Sequence, residues 1–211
     1  MKTHQILSSI IPTALLLVTK KLLLIILRPW VKMKLKGQTK LHLACGDNVL
    51  AGWANIDLKI KKNVTVWDLT EPLPADSESV ELIYCEHFIE HIPLKQATDL
   101  LNDCFRTLKP NGVLRFSTPN LKKLIDEYLL GQTTEWHDVG WKPLTPCQMV
   151  NESFRLWGHQ FIYDADELKH ILEAAGFRKV TQVAWRDSMT PGLKNLECRP
   201  FHGEIIIEAI K

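Results

Sequence analysis

A glycine turn, followed eleven residues later by a carboxylate, is the first place in this chain where chemistry is indicated. The apolar run LHLA ends at Cys45-Gly46, and a second run, WANI, ends on Asp57. Glycine lets a ligand approach the backbone because it has no side chain and adopts positive φ at little cost. A carboxylate at the tip of a second strand accepts hydrogen bonds from the vicinal hydroxyls of a ribose. Gly46 and Asp57 therefore predict a nucleoside-binding site.

A second constellation, His87-Phe88-Ile89-Glu90-His91, matches the H-x-x-E-H pattern of inverted zinc peptidases. On a helix, His87 and His91 share one face, where they can bind zinc with Glu90 as the general base. The segment, however, directly follows an apolar strand-like run, and Pro93 comes two residues after it. We interpret it as a turn and predict no metal site. A zinc-dependent hydrolase that uses His87, Glu90 and His91 stays as an alternative.

The charge of the chain is distributed unevenly. The 211 residues carry a net charge of +2, but residues 1–46 contain eight Lys and Arg and no Asp or Glu. The rest of the chain keeps 18 of the 26 basic residues against 24 acidic ones, a net charge of −6. This acidic body, without a Lys/Arg block that has interleaved aromatics, argues against nucleic acid as a partner. One domain is expected at this length.

The cysteines indicate a reduced protein. Their number is odd, and their spacing is too wide for a paired zinc motif: Cys45, Cys85, Cys104, Cys147 and Cys198. We therefore expect a cytoplasmic location, no structural disulfide and no structural zinc.

Residues 1–36 form a basic, apolar leader. Ile6–Leu27 is strongly apolar and, at about 1.5 Å per residue, is long enough as a helix to cross a bilayer. Lys20 and Lys21 disfavour spanning, and they share one side of a helical wheel with Arg28, which favours a helix lying on anionic headgroups. Three placements stay open: across the membrane, on its inner face, or packed on the domain. A spanning helix would leave the body cytoplasmic, because the cations after it favour the inner side.

The body, residues 37–211, alternates strands and helices. Apolar runs predict strands at 41–44, 53–57, 64–67, 80–84, 113–117, 179–185 and 204–210. Apolar residues spaced three and four apart, together with capping residues, predict helices at 94–108, 120–130 and 164–176. This order favours a parallel sheet covered on both faces, closed by a hairpin with a long connection.

Residues 131–161 interrupt this alternation. The segment is rich in aromatic residues and histidine, including Trp136, Trp141, Trp157 and His159. A connection of this length in a compact domain is commonly a lid or a binding loop. We predict a lid or acceptor-binding insertion, in which the tryptophans stack on a sugar, an aromatic or a lipid-linked substrate.

From Lys40 to the C-terminus the chain resembles the class I S-adenosylmethionine-dependent methyltransferases, and most closely their small bacterial branch, methyltransferase type 11-like. The resemblance lies in the order of LHLACG, NIDL, VWDL, CEHFIEH, LKPNGVLRFSTPN and AAGF. It implies an α/β, Rossmann-like, doubly wound seven-stranded sheet, mostly parallel with an antiparallel C-terminal strand. The apolar leader adds an N-terminal apolar helix to this fold. The resemblance also implies S-adenosylmethionine as the cofactor. The implied reaction is methyl transfer to an O or N atom of a small-molecule, saccharide or lipid-linked acceptor.

The resemblance also implies which residues bind the cofactor. The turn after the first strand should run beside the methionine part, and the acid after the second strand should hold the ribose hydroxyls. The pair after the third strand should meet the adenine, and the pair after the fourth should face the sulfonium. In chain order these residues are Ala44, Cys45 and Gly46, then Asp57 and Leu58, then Asp68 and Leu69, then Cys85 and Glu86.

Two positions depart from the family pattern. His42 stands where the family usually has an acid, and Ala44 stands where it usually has the first glycine. We expect Ala44 to be accommodated at negative φ. The interval from Gly46 to Asp57 is about half of the roughly 20 residues in the general nucleotide-binding pattern. Either the first helix is reduced to a turn, or the cofactor binds in a shallower site.

Methyl transfer to oxygen or nitrogen also requires a group that removes a proton. Candidates are Glu86, His87, His91 and His159, of which we name His87, His159 and Glu86 as catalytic. Because the first motif is altered, a non-catalytic cofactor-binding module at the membrane stays as an alternative. A dehydrogenase is disfavoured, because the chain has no G-x-G-x-x-G.

Overall fold

The computed structural model describes residue 22 and residues 26–211. The other residues of the predicted apolar helix 6–27 lie outside the described part. Residues 26–35 form a helix, α1, whose Val31 and Leu35 are buried in the main core. Among the residues that the structure describes, no helix is both long enough and apolar enough to cross a bilayer.

A single sheet organises the described part of the chain. Its order is β3-β2-β1-β4-β5-β7-β6. Strands β1 to β5 pair in parallel, whereas β7 is antiparallel to both of its neighbours. The predicted seven-stranded, mostly parallel sheet with an antiparallel C-terminal strand is therefore confirmed. The strands are β1 (Lys40–Leu43), β2 (Ala54–Asp57), β3 (Val64–Val66), β4 (Val80–Glu86), β5 (Leu108–Thr118), β6 (Lys179–Gln182) and β7 (Ile205–Ile210).

Helices that begin and end at the expected signals surround this sheet. The side chain of Asn120 accepts a hydrogen bond from the Lys123 N–H, and that of Asp164 accepts one from the Glu167 N–H, as N-cap residues do. Gly176 ends the last helix in the left-handed conformation, with φ +107°. After α1 the helices are α2 (Leu94–Thr107), α3 (Leu121–Leu129), α4 (Pro146–Arg155) and α5 (Ala165–Ala175).

In three segments the structure shows secondary structure that the sequence patterns left open or placed differently. Residues 44–53 contain turns and no helix, which is the first of the two options for the short interval between β1 and β2. Strand β5 begins at Leu108 and not at 113, because Leu108 already pairs with Val80 before a register shift. The connection 131–161 contains α4, whose start is marked by the N-cap Thr145 and by proline in the first turn.

The insertion 131–161 packs on the body through a small core of its own. The buried side chains of Trp141 and Met149 contact Leu124 of α3 and Ile162. The Trp141 Nε1–H donates to Glu152 of α4 at 2.7 Å. These contacts hold the insertion beside the carboxyl ends of β4 and β5.

Candidate active site

The turn between β1 and β2 brings Gly46 and Asp57 together. The Gly46 N–H donates to Asp57 Oδ2 at 2.8 Å, and the Lys59 N–H donates to Oδ1 at 2.8 Å. Gly46 has φ +52°, and no atom lies within 4 Å of the position that a Cβ would take. Each carboxylate oxygen can accept a second hydrogen bond. The remaining acceptor capacity of Asp57 therefore fits two vicinal ribose hydroxyls.

Ala44 has φ +50°, so the expectation of negative φ at this position is wrong. The backbone must turn sharply after β1 for the Cys45 N–H to reach the Ile56 carbonyl of β2, at 3.2 Å. A left-handed conformation costs a residue with a Cβ about 1 kcal/mol. The turn thus stores a small strain at the position where the family usually has glycine.

His42 lies in the interior and not at the surface of the turn. Its side chain is buried, and Nδ1 lies 3.1 Å from Asn55 Oδ1. The Asn55 side-chain amide donates in turn to the carbonyls of Leu50 and Trp53. Burial lowers the pKa of His42, which favours the neutral ring. The pair His42 and Asn55 therefore positions the loop ahead of β2.

Asp68 and Leu69, predicted to meet the adenine, are buried, whereas Leu58, predicted to bind beside Asp57, is exposed. Asp68 Oδ1 accepts from the Thr70 N–H at 2.9 Å and from its hydroxyl at 2.7 Å. Leu58 has 63% of its surface exposed. The structure thus fixes the Asp68 carboxylate at the end of β3, whereas Leu58 faces solvent.

The two cysteines at the strand ends are protonated thiols. Cys45 and Cys85 are both buried. Burial, with a smaller contribution from the Asp57 charge, raises the pKa of Cys45 to about 11. Burial also raises the pKa of Cys85. Neither group is activated as a nucleophile, because reactivity requires the thiolate.

Glu86, at the end of β4, anchors a distant loop. Its carboxylate accepts from the backbone N–H groups of Cys198, at 3.2 Å, and Arg199, at 3.3 Å, and from the Cys198 thiol at 3.0 Å. The residue before this pair, Glu197, forms a buried salt bridge of 2.5 Å with Arg115 of β5. The carboxylate of Glu86 is therefore held by the segment 197–199.

A cavity of about 370 Å³ opens beyond the carboxyl ends of β4 and β5. We call it the histidine cavity. On one wall, His87 Nδ1 lies 3.1 Å from Oε1 of the fully buried Glu90, whose Oε2 accepts from the Thr118 hydroxyl at 3.1 Å. The lining residues are His87, Glu90, His91, Pro119, Trp136, Asp138, Val139, Trp157, His159, Arg199 and His202.

Glu90 is a buried anion. Burial acts to raise the pKa of its carboxyl, but the hydrogen bond from His87 and the charges of His87 and His91 outweigh burial and place that pKa below its usual value. An ionised Glu90 accepts a hydrogen bond from the Nδ1–H of His87. Because Nδ1–H is the donor to Glu90, Nε2 is the nitrogen that carries the lone pair whenever the His87 ring is neutral.

The H-x-x-E-H segment does not form the helix that the zinc-hydrolase alternative requires. Ile89–His91 is one short 3₁₀ turn, His87 has φ +50°, and α2 begins only at Leu94. The ring that lies beside His91 comes instead from His159 of the insertion, with the two ring centroids 4.9 Å apart.

His159 is oriented by the backbone. Its Nδ1 donates to the Ser153 carbonyl at 2.7 Å, which leaves the lone pair of the neutral ring on Nε2. Burial lowers the pKa of His159, although the hydrogen bond to Ser153 acts in the opposite direction. The ring is therefore neutral near pH 7.

The structure sorts the predicted site residues into two groups along the sheet edge. Gly46 and Asp57 meet in the turn, whereas His87 and His159 line the histidine cavity. Sequence reasoning missed Thr118, Arg199 and His202, which no local motif marks. His202 belongs to the cavity because its ring stacks on Trp136, with centroids 4.6 Å apart and planes 9° apart. Such contacts between distant segments leave no signal in the sequence.

The seven-stranded sheet, parallel from β1 to β5 with an antiparallel C-terminal strand, is the fold of the class I methyltransferases. A family model described as a methyltransferase domain matches residues 24–182, well over half of the chain. The chain therefore belongs to the S-adenosylmethionine-dependent methyltransferase family, and S-adenosylmethionine is its cofactor. The sequence matches no curated protein at a significant level.

Solved structures are similar to this chain at low sequence identity. An S-adenosylmethionine-dependent methyltransferase from Thermotoga maritima, described as a possible histamine N-methyltransferase, is 13% identical, with TM-score 0.51 and coverage of 92% of this chain and 96% of that one. An S-adenosylmethionine-dependent methyltransferase from Archaeoglobus fulgidus is 18% identical, with TM-score 0.49 and coverage of 87% and 94%. The Haemonchus contortus phosphoethanolamine N-methyltransferase 2, in complex with S-adenosyl-L-methionine, is 14% identical, with TM-score 0.49 and coverage of 87% and 52%.

Proposed function

We propose that this chain transfers a methyl group to an oxygen or nitrogen atom of a small acceptor bound in the histidine cavity. The observation that carries the proposal is the pair His87 and Glu90, which borders a cavity of about 370 Å³ at the end of β4. Pockets for small ligands typically have volumes of about 300 to 1,000 Å³. When bound, S-adenosylmethionine would supply an electrophilic methyl group: a bond forms from the acceptor atom to the methyl carbon, the sulfonium C–S bond breaks, and S-adenosylhomocysteine leaves as a neutral thioether.

His87 is the proposed general base. The Glu90 carboxylate orients its ring through Nδ1, so that Nε2 is the nitrogen that accepts a proton from the acceptor. The buried anion also stabilises the imidazolium that forms when this proton is transferred. His159 is proposed to bind the acceptor, and Glu86 is proposed to act through the 197–199 segment that it holds.

The cofactor is proposed to bind along the ends of β1 to β4. The backbone from Ala44 to Gly46 would lie beside the methionine part, and Asp57 would hold the ribose. Asp68 and Leu69 would meet the adenine. The acceptor capacity that Asp57 retains supports this arrangement. Cys85 lies at the end of β4, two residues before His87, which lines the histidine cavity. This supports placing the methyl group of the cofactor at the end of β4.

The insertion 131–161 is proposed to form the acceptor-binding side of a methyltransferase domain that spans 37–211. Trp157 has 43% of its surface exposed beside the cavity, and Arg199 lines the same cavity. Aromatic faces beside charged donors suit a saccharide or a lipid-linked saccharide. We propose such an acceptor.

The test combines binding with turnover. Calorimetry should give one S-adenosylmethionine site per chain, and a panel of saccharides and lipid-linked saccharides should yield S-adenosylhomocysteine with at least one acceptor. The exposed His170 supplies a control variant, His170→Gln, which should match the unaltered chain. Cofactor binding without product from any acceptor would instead support the non-catalytic module. Absence of cofactor binding would overturn the proposal.

The exposed face of α1 is proposed to contact the inner, anionic surface of the membrane. Ile26, Trp30 and Met33 have 64%, 53% and 67% of their surface exposed and lie opposite the buried Val31 and Leu35. An apolar stripe flanked by cations suits an interfacial helix on anionic lipid. The cations of this helix and the residue after it are Arg28, Lys32, Lys34 and Lys36.

Vesicle sedimentation tests this placement. The full chain should bind vesicles that contain phosphatidylglycerol more tightly than vesicles of phosphatidylcholine alone. The double variant Trp30→Ser and Met33→Ser should lose most of this binding. A matched control is Met189→Ser, because Met189 is 97% exposed elsewhere on the body. Equal binding of both variants would contradict the proposed surface.

A further inference from the structure

We propose that Glu90, His91 and His159 form a binding site for one divalent transition-metal ion, with zinc as the test case. One carboxylate oxygen and one nitrogen from each ring lie within 4.8 Å of one another. Two imidazoles and a carboxylate are a ligand set that holds zinc or iron in many proteins. The site itself stands apart from methyl transfer, whereas its catalytic role rests on the function proposed above.

His159 has the orientation of a metal ligand. The hydrogen bond of 2.7 Å from Nδ1 to the Ser153 carbonyl fixes the ring and leaves the lone pair of Nε2 available. Histidines that bind metals commonly donate their other ring N–H to a carbonyl or carboxylate in this way.

Glu90 has the remaining capacity and the setting for a cation. Its two oxygens accept from His87 and Thr118, at 3.1 Å each, and a carboxylate has about four acceptor sites in all. The side chain is completely buried. A buried anion is costly unless it is paired or bound to a metal. Glu90 Oε1 lies 3.1 Å from His87 Nδ1 and 3.8 Å from His91 Nε2, but a neutral ring carries no full charge. A divalent ion between Glu90 and the rings of His91 and His159 would supply one.

The three side chains need only a small adjustment. Ligands at about 2.0 to 2.2 Å from one zinc ion lie roughly 3 to 3.5 Å from each other, so closure from 4.8 Å takes about 1 Å of movement. The His91 side chain is 31% exposed, so its ring has room to move. Oxygen-preferring ions such as magnesium fit this nitrogen-rich set poorly.

The position of the site indicates what the ion would do. All three residues line the histidine cavity, so the open coordination positions of a three-ligand site face the space assigned to the acceptor. A metal ion lowers the pKa of a hydroxyl that it binds. The proton released from that acceptor hydroxyl would pass to His87 Nε2, and the acceptor oxygen would stay bound to the ion as an alkoxide.

The experiment is a titration of the full, tag-free chain after chelation and removal of the chelator. Calorimetry with zinc chloride should show one site per chain, and magnesium chloride at the same concentration should show no binding. His91→Gln and His159→Gln should each weaken zinc binding at least tenfold. The matched control is His202→Gln, because His202 lines the same cavity but pairs with Asp138, at 2.9 Å. This control should bind zinc as the unaltered chain does.

A parallel titration with S-adenosylmethionine separates the two proposals and reports on folding. Each histidine variant should keep its cofactor affinity within about twofold. Absence of zinc binding in the unaltered chain, or zinc affinity unchanged in both His91→Gln and His159→Gln, would overturn the metal site even if the cofactor binds. Zinc binding without cofactor binding would leave the metal site intact and remove the proposed function.

Discussion

The turn between β1 and β2 and the histidine cavity beyond β4 and β5 are built in different ways. In the turn between β1 and β2, Gly46 and Asp57 are eleven residues apart in sequence and meet through the Gly46 N–H and the Asp57 carboxylate. In the histidine cavity, side chains from the segment after β4, from the insertion and from the segment before β7 meet. The bond from Glu86 to Cys198, next to the cavity residues His87 and Arg199, links residues 112 positions apart. The turn is therefore a local structure, whereas the cavity exists only in the folded chain.

This difference has a consequence for specificity. The turn is closed by the backbone bond from Cys45 to Ile56 and by the Asp57 carboxylate, and both bonds form with the unusual residues at positions 42 and 44 in place. A cavity lined by side chains changes its shape and polarity with each substitution. We therefore expect acceptor choice to depend on the residues of the cavity, whereas the turn between β1 and β2 belongs to the fold itself.

The largest expected effect tests the cavity. His87→Gln removes the proposed base and should lower the turnover number about 10²- to 10⁴-fold, as losses of general bases do. The affinity for S-adenosylmethionine should stay within about twofold, because His87 lies outside the turn. Steady-state kinetics and calorimetry measure the two quantities. A parallel loss of turnover and cofactor affinity would mean that the two regions are not separate.

The second effect tests the turn. Asp57→Ala removes the carboxylate proposed to hold two ribose hydroxyls, and hydrogen bonds to a charged group contribute about 1.5 to 3 kcal/mol each. Cofactor affinity should therefore fall by roughly 100-fold or more by calorimetry. Asp47→Ala is the matched control, since Asp47 lies in the same turn but contacts only Lys59 and Lys61. Equal losses in both variants would contradict a specific role of Asp57.

A smaller effect concerns acid stability near the turn. Burial places the pKa of His42 below the usual value of about 6.5, so the unfolded chain takes up a proton that the folded chain does not. Stability from this residue is thus complete above pH 6.5 and is lost as the pH falls below it. His42→Gln should reduce the slope of the free energy of unfolding against pH by at most about 1.4 kcal/mol per pH unit. Urea unfolding between pH 5 and 7, with the exposed His170→Gln as control, measures it.

The smallest expected effect concerns the left-handed backbone at Ala44. Ala44→Gly relieves a left-handed alanine at φ +50° and should raise the free energy of unfolding by about 0.5 to 1 kcal/mol. Cofactor affinity should be maintained, because the Cys45 N–H keeps its bond to Ile56. Thermal unfolding measures the change in stability, and calorimetry measures the cofactor affinity. A loss of stability would indicate that the alanine methyl contributes packing that exceeds the strain.

The local features of the fold followed from the sequence. Asn120, Asp164 and Gly176 marked helix ends because capping depends on residues three or four positions apart. Alternating strands and helices predicted the parallel part of the sheet, because a helix between two strands brings the chain back to pair in parallel. The sign of φ at Ala44 was predicted wrongly, because it depends on how tightly β1 and β2 must be joined and not on the residue type.

The sequence alone determined the family of the chain through the order of its motifs, the alternation of strands and helices, and the place of Asp57 after the second strand, because each of these depends on short-range patterns. Only the tertiary structure decided that Glu90 orients His87, that His159 lies beside His91, and that Glu86 holds the loop at Cys198. Glu90 and its partner Thr118 are 28 residues apart, and Glu86 and Cys198 are 112 apart, whereas His87 and Glu90 are only three apart. Packing of the whole domain selects the distant neighbours, and no spacing along the chain encodes them.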